Sequence, residues 1–222
     1  MSYSIAIDGP AGAGKSTIAR LVAKKKGCCY VDTGAIYRAM ALFMLRSRVD
    51  ASDREQIAQK CREARVELAY ENGEQQVFLN GEPVNGLIRT EQVSQMASKT
   101  AAVPAVREWL IDLQRGLAKS RDVIMDGRDI GTCVLPEATV KIYLTASVEV
   151  RARRRYLEYR EKGGTETYEE ICEDVAKRDA QDMGRAIAPL KQAEDAVLVD
   201  TSEMTIEQAA DRILEICAQK GC

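Results

Sequence analysis

The stretch Gly9-Pro10-Ala11-Gly12-Ala13-Gly14-Lys15-Ser16-Thr17 constrains the fold more than any other part of this 222-residue chain. It fits the spacing G-x-x-x-x-G-K-[ST] at every fixed position, with Gly9, Gly14, Lys15 and Ser16 in place. Its flanks supply the context that spacing needs. Ser4 to Asp8 reads as a short buried strand, and Thr17 to Lys26 as an amphipathic helix with Ile18, Leu21 and Val22 inward. A chain that turns from strand to helix over so few residues needs positive φ angles and close backbone approach, which Gly9, Gly12 and Gly14 allow.

Such a loop points its backbone N–H groups at an anion, and the helix beginning near Lys15 adds its free N–H groups and the positive end of its dipole. Lys15 is placed to reach β- and γ-phosphates, and the Ser16 hydroxyl to ligate Mg²⁺. The whole run from Gly9 through Pro10, Ala11, Gly12, Ala13, Gly14, Lys15, Ser16 and Thr17 is therefore the expected triphosphate cradle. The alternative, a glycine turn without a ligand, has no use for Lys15 and Ser16 at its end. The signal says nothing about what receives the phosphate.

Composition removes several chemistries. Histidine is absent, which excludes Ser-His-Asp triads, Cys-His dyads and His-ligated metals. The seven cysteines form no C-x-x-C pair and read as reduced thiols. A net charge of −2 gives no global field toward nucleic acid or a membrane surface. The longest apolar run, Ala39 to Leu45, is too short to span a bilayer, and no basic segment followed by an apolar one opens the chain. The expectation is a cytoplasmic protein with no nucleic-acid or membrane partner.

Further along, short strands alternate with helices. Cys28 to Val31 is a second strand ending in Asp32-Thr33-Gly34, a polar triplet at the strand end where an open α/β sheet holds ligands. A helix follows through Ile36, Met40, Phe43 and Met44. An Arg at its start opposes the dipole, so Arg38 is expected to serve elsewhere, with a solvent-facing Arg as the alternative. Another helix is expected from about Asp53 to Ala64. Residues 65–88 then alternate apolar and polar and carry three Asn-Gly pairs, at Asn72, Asn80 and Asn85, which read as the turns of a small antiparallel meander. Thr90 caps a helix to Ala101, and Pro104 begins another, with Ser98 and Arg107 flanking the joint. Asp122 to Asp126 is a third strand. Asp126 falls at its carboxyl end, and Gly127-Arg128-Asp129-Ile130-Gly131 follows as either a surface turn or part of a site. After the strand Val140 to Leu144, a helix from Ala146 to Glu161 carries Arg151, Arg154 and Arg155 at spacings that share a face. It ends at Gly163-Gly164 and reads as half of a hinged lid, against the blander reading of a solvated face. Arg178, Asp182 and Arg185 project together from the next helix and its end. Val197 to Val199 and a helix from Ile206 to Ala218 close the chain.

Asp32-Thr33-Gly34-Ala35-Ile36-Tyr37-Arg38, Asp126-Gly127-Arg128-Asp129-Ile130-Gly131 and Arg178-Asp179 … Asp182 … Arg185-Ala186-Ile187-Ala188-Pro189-Leu190 resemble the bacterial cytidylate kinases, over essentially the whole chain. The resemblance implies an α/β P-loop kinase of three layers: a mostly parallel five-stranded sheet, an inserted antiparallel meander and a helical lid. It implies one domain over 1–222, containing an enlarged monophosphate-binding insert at 65–96 and a lid at 148–168. It also implies ATP- and Mg²⁺-dependent phosphorylation of CMP and dCMP in pyrimidine metabolism, by a monomer whose partners are small nucleotides. Ser98, Arg107, Arg128, Asp129, Arg178, Asp182 and Arg185 are then expected to bind the acceptor, Arg38 its phosphate, with Asp32 and Thr33 beside them. Lys15, Arg128, Arg154 and Arg185 are the expected catalytic cations. Asp126 and Arg153 are weaker carry-overs. Ser16-Thr17 stands where many relatives have Gly-Thr. A P-loop kinase for another small acceptor is the runner-up. A guanine-nucleotide switch lacks the Asn-Lys-x-Asp segment it would need.

Overall fold

The computed structural model describes residues 2–71, 73–161 and 163–222. Two sheets organise them. The larger has five strands in the order β2-β6-β1-β7-β8, from Ser4–Asp8 (β1), Cys29–Asp32 (β2), Val123–Gly127 (β6), Val140–Thr145 (β7) and Val197–Asp200 (β8). β7 runs parallel to both β1 and β8. The smaller sheet has three strands, Val66–Glu71 (β3), Glu74–Leu79 (β4) and Glu82–Pro83 (β5), paired antiparallel. Mostly parallel strands alternating with helices, plus an antiparallel meander, is the architecture expected from the sequence.

The chain divides into two compact units. One covers Cys29–Val123 together with Ser2. Here Thr33–Arg46 (α2) buries Ile36, Met40 and Met44, capped by the Asp32 carboxylate on the Ala35 N–H at 2.9 Å. Arg54–Lys60 (α3) is capped by Asp53 and ends earlier than the expected Ala64, in a tight turn over Cys61–Glu63. Ala64 is already extended and feeds β3, and its carbonyl accepts from the Trp109 indole at 2.9 Å. Glu91–Thr100 (α4) is capped by Thr90, and Pro104 occupies the first turn of Pro104–Ser120 (α5), as their local signals require.

The three Asn-Gly pairs do different things. Asn80 (φ 51°) and Gly81 (φ 84°) form the two-residue turn between β4 and β5, both in the left-handed region. Asn72 lies outside the described residues. Asn85 makes no hairpin. Its side-chain oxygen accepts from the Val77 N–H at 2.7 Å and its amide donates to the Gln75 carbonyl at 2.8 Å, so it pairs with β4 in place of a strand.

The other unit covers Tyr3–Cys28 and Ile124–Cys222. Its core is Ile5, Ile7, Ile124, Met125, Ile142 and Leu144 from the strands, with Val22 from Lys15–Lys26 (α1) and Ile213 from Ile206–Gln219 (α8). Val148–Glu161 (α6) and Tyr168–Met183 (α7) pack on each other through Ala152, Ile171 and Val175. Tyr156 and Tyr168 meet edge to face across them, ring centres 6.0 Å apart. Thr167 and Glu170 form a capping box at the start of α7. Among the described residues no helix is long and apolar enough to cross a membrane.

Candidate active site

The glycine loop has the geometry that its spacing predicts. Gly9, Gly12 and Gly14 have φ of 152°, 77° and 89°. At Gly9 the reason is also steric, because a Cβ there would stand 1.9 Å from the Leu144 carbonyl oxygen of the neighbouring strand. Gly14 caps α1 in the left-handed conformation without a side-chain bond. The first amides of α1 are thus available to an anion.

Lys15 is buried and folds back so that its ammonium donates to the Pro10 carbonyl at 2.7 Å. Burial, then the nearby Arg128 charge, lower its pKa to about 7; Asp126, Asp8 and Asp182 pull the other way. The Ser16 hydroxyl donates to Asp126 Oδ2 at 2.8 Å, and Asp126 is itself buried at the end of β6. A hydroxyl and a carboxylate set together at the mouth of a phosphate loop fit a hard divalent cation. Among the described residues no cluster of three or more His, Cys, Asp or Glu could hold a metal, so the remaining ligands would be nucleotide oxygens and water.

Two of the three arginines expected in a lid, all on α6, hold the loop rather than stand clear of it. Arg151 is buried and donates from Nε to the Ala146 carbonyl at 2.8 Å and from Nη1 to the Ala11 carbonyl at 3.0 Å. It also grips Asp179 with both terminal nitrogens, at 3.1 and 2.6 Å. Arg154 donates to the Thr201 carbonyl at 2.8 Å and lies 3.5 Å from the Ala13 carbonyl. Arg155 lies over the Tyr159 ring at 5.7 Å.

Next to this cradle is a carboxylate gripped by arginines. Arg128 donates from Nε to Asp182 Oδ2 at 2.7 Å, and Arg185 donates to the other oxygen of the same carboxylate. Burial alone would raise the Asp182 pKa, but the charges of Arg128, Arg185 and Arg178 bring it below the usual carboxylate range. Asp129 is buried beside this group. Arg128, Asp129, Arg178, Asp182 and Arg185 therefore come together in one unit.

The unit that contains α2 holds the other expected acceptor residues. Asp32 caps α2 with one oxygen and accepts from Arg38 with the other at 2.9 Å, while Arg89 stands 3.8 Å away. Gly34 makes room for that fold-back, since a Cβ there would meet Arg38 Nη1 at 2.9 Å. Arg38 Nε is buried with no hydrogen-bond partner. Thr33 is buried in the first turn of α2 and Ser98 half-buried on α4. Arg107 is buried, reaches the Ala101 carbonyl at 3.4 Å and stacks over Tyr37 at 5.5 Å.

The model of the cytidylate kinase family matches residues 5–219. The chain belongs to the cytidylate kinase family. It is 48% identical over 218 residues to the cytidylate kinase of Bacillus subtilis (strain 168), covering 98% of this chain and 97% of that protein. It is also 48% identical to the cytidylate kinase of Carboxydothermus hydrogenoformans, covering 98% of each. A solved structure of an uncharacterised protein from Eubacterium ventriosum ATCC 27560 superimposes with a TM-score of 0.53 at 10% identity, covering 99% of each chain, which is a likeness of fold.

Three participants escape a reading of the sequence. Asp8, at the end of β1, accepts from the Ile130 and Gly131 N–H groups, both at 2.7 Å. Its burial raises its pKa to about 6 against the pull of those two bonds. Asp179 fixes Arg151. Thr201 is buried, with its hydroxyl 3.0 Å from the Thr145 carbonyl and 3.4 Å from that of Ala13. Thr201 had a faint signal, a polar residue just past the carboxyl end of a strand.

Proposed function

We propose that this member of the family transfers the γ-phosphoryl group of ATP to CMP or dCMP, giving ADP and CDP or dCDP. A phosphate oxygen of the acceptor forms the new bond to the γ-phosphorus while the bond from that phosphorus to the β,γ-bridging oxygen breaks, and ADP leaves. No covalent enzyme intermediate is needed, which suits a chain without histidine. Catalysis then rests on positioning and positive charge.

The observation that carries this reading is the pairing of Arg128 and Arg185 with Asp182 next to Lys15, within the electrostatic reach of the glycine loop. A plain nucleotide-binding switch has no use for a second cationic group there. Residues Gly9 to Thr17 hold the donor, with Lys15 toward its β- and γ-phosphates and Arg154 and Arg185 on the transferred group. Arg128, Asp129, Arg178, Asp182 and Arg185 hold the acceptor, joined by Asp32, Thr33, Arg38, Ser98 and Arg107. Arginine suits this task because its planar fork meets phosphate oxygens two at a time. Ser16 would hold Mg²⁺, with Asp126 orienting the hydroxyl, and the bound ion supplies charge neutralisation on the phosphates. Residues 65–96 serve as the acceptor-side insert and 148–168 as the lid of a single domain over 1–222, apart from positions 72 and 162, which lie outside the described residues. The enzyme acts as a cytoplasmic monomer on small nucleotides.

A coupled ADP assay with ATP and Mg²⁺ tests the reading. CMP and dCMP are expected to turn over far faster than AMP, GMP or shikimate. Preference for a non-cytidine acceptor overturns the acceptor assignment and leaves the phosphate-loop assignment standing.

A further inference from the structure

The Arg128-Asp129 segment leads into a single wide turn over Ile130–Val134, and a turn of this kind begins with backbone N–H groups that lack partners inside it. An Asp just before such a turn ordinarily caps it with its own side chain. Asp129 occupies that position and makes no capping bond. The cap comes instead from β1: the two Asp8 oxygens accept one N–H each, from Ile130 and Gly131, at 2.7 Å. Only a carboxylate presents two acceptors in a parallel fork. An Asn would meet one of the two amides with another donor.

The approach is close, since a Cβ on Gly131 would stand 3.4 Å from Asp8 Oδ2. Asp8 is 5% exposed, and a carboxylate is rarely buried to that extent without partners that fix it. The glycine loop that begins at the next residue has separate supports: positive φ at its three glycines, and Arg151 and Arg154 on the carbonyls of Ala11 and Ala13.

We infer that Asp8 is a positioning residue for the acceptor: its carboxylate caps the 130–134 turn from the neighbouring strand and thereby sets Arg128 and Asp129 for the incoming nucleotide. This rests on the reading of Arg128 and Asp129 as acceptor ligands. Loss of the fork loosens the acceptor side while the donor cradle keeps its own geometry.

The test is separate titration of CMP and of ATP into the full-length wild type, Asp8→Asn, Asp8→Ala and Arg128→Ala. The Asp8 variants are expected to bind CMP about tenfold or more weakly, as for a lost hydrogen bond to a charged group, and ATP more weakly by a clearly smaller factor, since Asp8 also supports the charge on Lys15. Equal weakening of both ligands, weakening of ATP alone, or unchanged CMP affinity overturns the inference. Unchanged CMP affinity in Arg128→Ala overturns the acceptor reading beneath it instead. If neither Asp8 variant folds, amide hydrogen exchange in the wild type decides. The Ile130 and Gly131 amides are expected to exchange more slowly than those of Arg128 and Asp129, and faster exchange overturns the clamp.

Discussion

The two compact units treat their charges differently. In the unit with the glycine loop, several charged side chains are bonded to one another and to backbone: Arg151 to Asp179 and Ala11, Arg128 and Arg185 to Asp182, Lys15 to Pro10, Asp8 to two amides, while the buried Nε of Arg178 makes no hydrogen bond. In the unit that holds α2, Asp32 carries Arg38 at hydrogen-bond distance and Arg89 only at 3.8 Å. There Arg38 keeps a buried Nε without a hydrogen-bond partner, and the Arg89 side chain is 67% exposed. The cations around the glycine loop are thus held in place before any ligand arrives. Arg38 on α2 has hydrogen-bonding capacity that its own unit does not fill. Preorganisation of this kind is where an enzyme concentrates its electrostatic advantage.

The comparison is open to a direct stability test. Asp179→Ala leaves the buried Arg151 guanidinium without its carboxylate, which is expected to lower unfolding stability by about 3–5 kcal/mol. Asp32→Ala removes a helix cap and a more exposed pair, expected to lower it by about 1–2 kcal/mol. Denaturant unfolding of both variants measures the difference. Equal losses, or a larger loss at Asp32, would remove the contrast between the buried Arg151–Asp179 pair and the more exposed Arg38–Asp32 pair.

A second test asks whether the unfilled capacity at Arg38 belongs to the acceptor. Arg38→Ala takes away a charge-assisted contact and leaves Asp32 capping α2 through Ala35. KM for CMP is expected to rise about tenfold or more, with KM for ATP unchanged, since such a bond contributes about 1.5–3 kcal/mol. Steady-state kinetics with each substrate varied in turn provides the readout. A shift in ATP alone would place Arg38 on the donor side.

How much of this could be seen beforehand follows the range of each interaction. The glycine loop, the cap at Thr90 and the Pro104 start are local signals, and each forms where the sequence places it. The Asn80-Gly81 turn is local too. Asn85-Gly86 carries the same dipeptide, but Asn85 reaches back to β4, eight and ten residues away, and no short window shows that. Asp8 looks like the last residue of a strand because its partners lie 122 and 123 positions further on. Arg151 and Arg155 look alike on a helical wheel. Only the packing of α7 against α6, which brings Asp179 opposite, separates a saturated arginine from one lying over a tyrosine. Family resemblance supplies an expected acceptor set, and the bonds that Arg128, Arg185 and Asp182 make to one another become visible only in the fold.

The smallest expected effect is a proton. Burial and Arg128 set the Lys15 pKa at about 7, so at pH 8 about nine-tenths of the free enzyme carries a neutral Lys15. A triphosphate beside it favours the charged form and raises that pKa. A group whose pKa rises on binding takes up protons between its free and bound values, so ATP binding at pH 8 should take up close to one proton and at pH 6 far less. Arginines are charged at every working pH, so CMP binding should take up little at pH 8. Calorimetric titrations in buffers of different ionisation enthalpy read the difference directly. Equal uptake for the two nucleotides, or uptake with ATP that persists in Lys15→Met, would break the link between a buried lysine and the preassembled donor cradle.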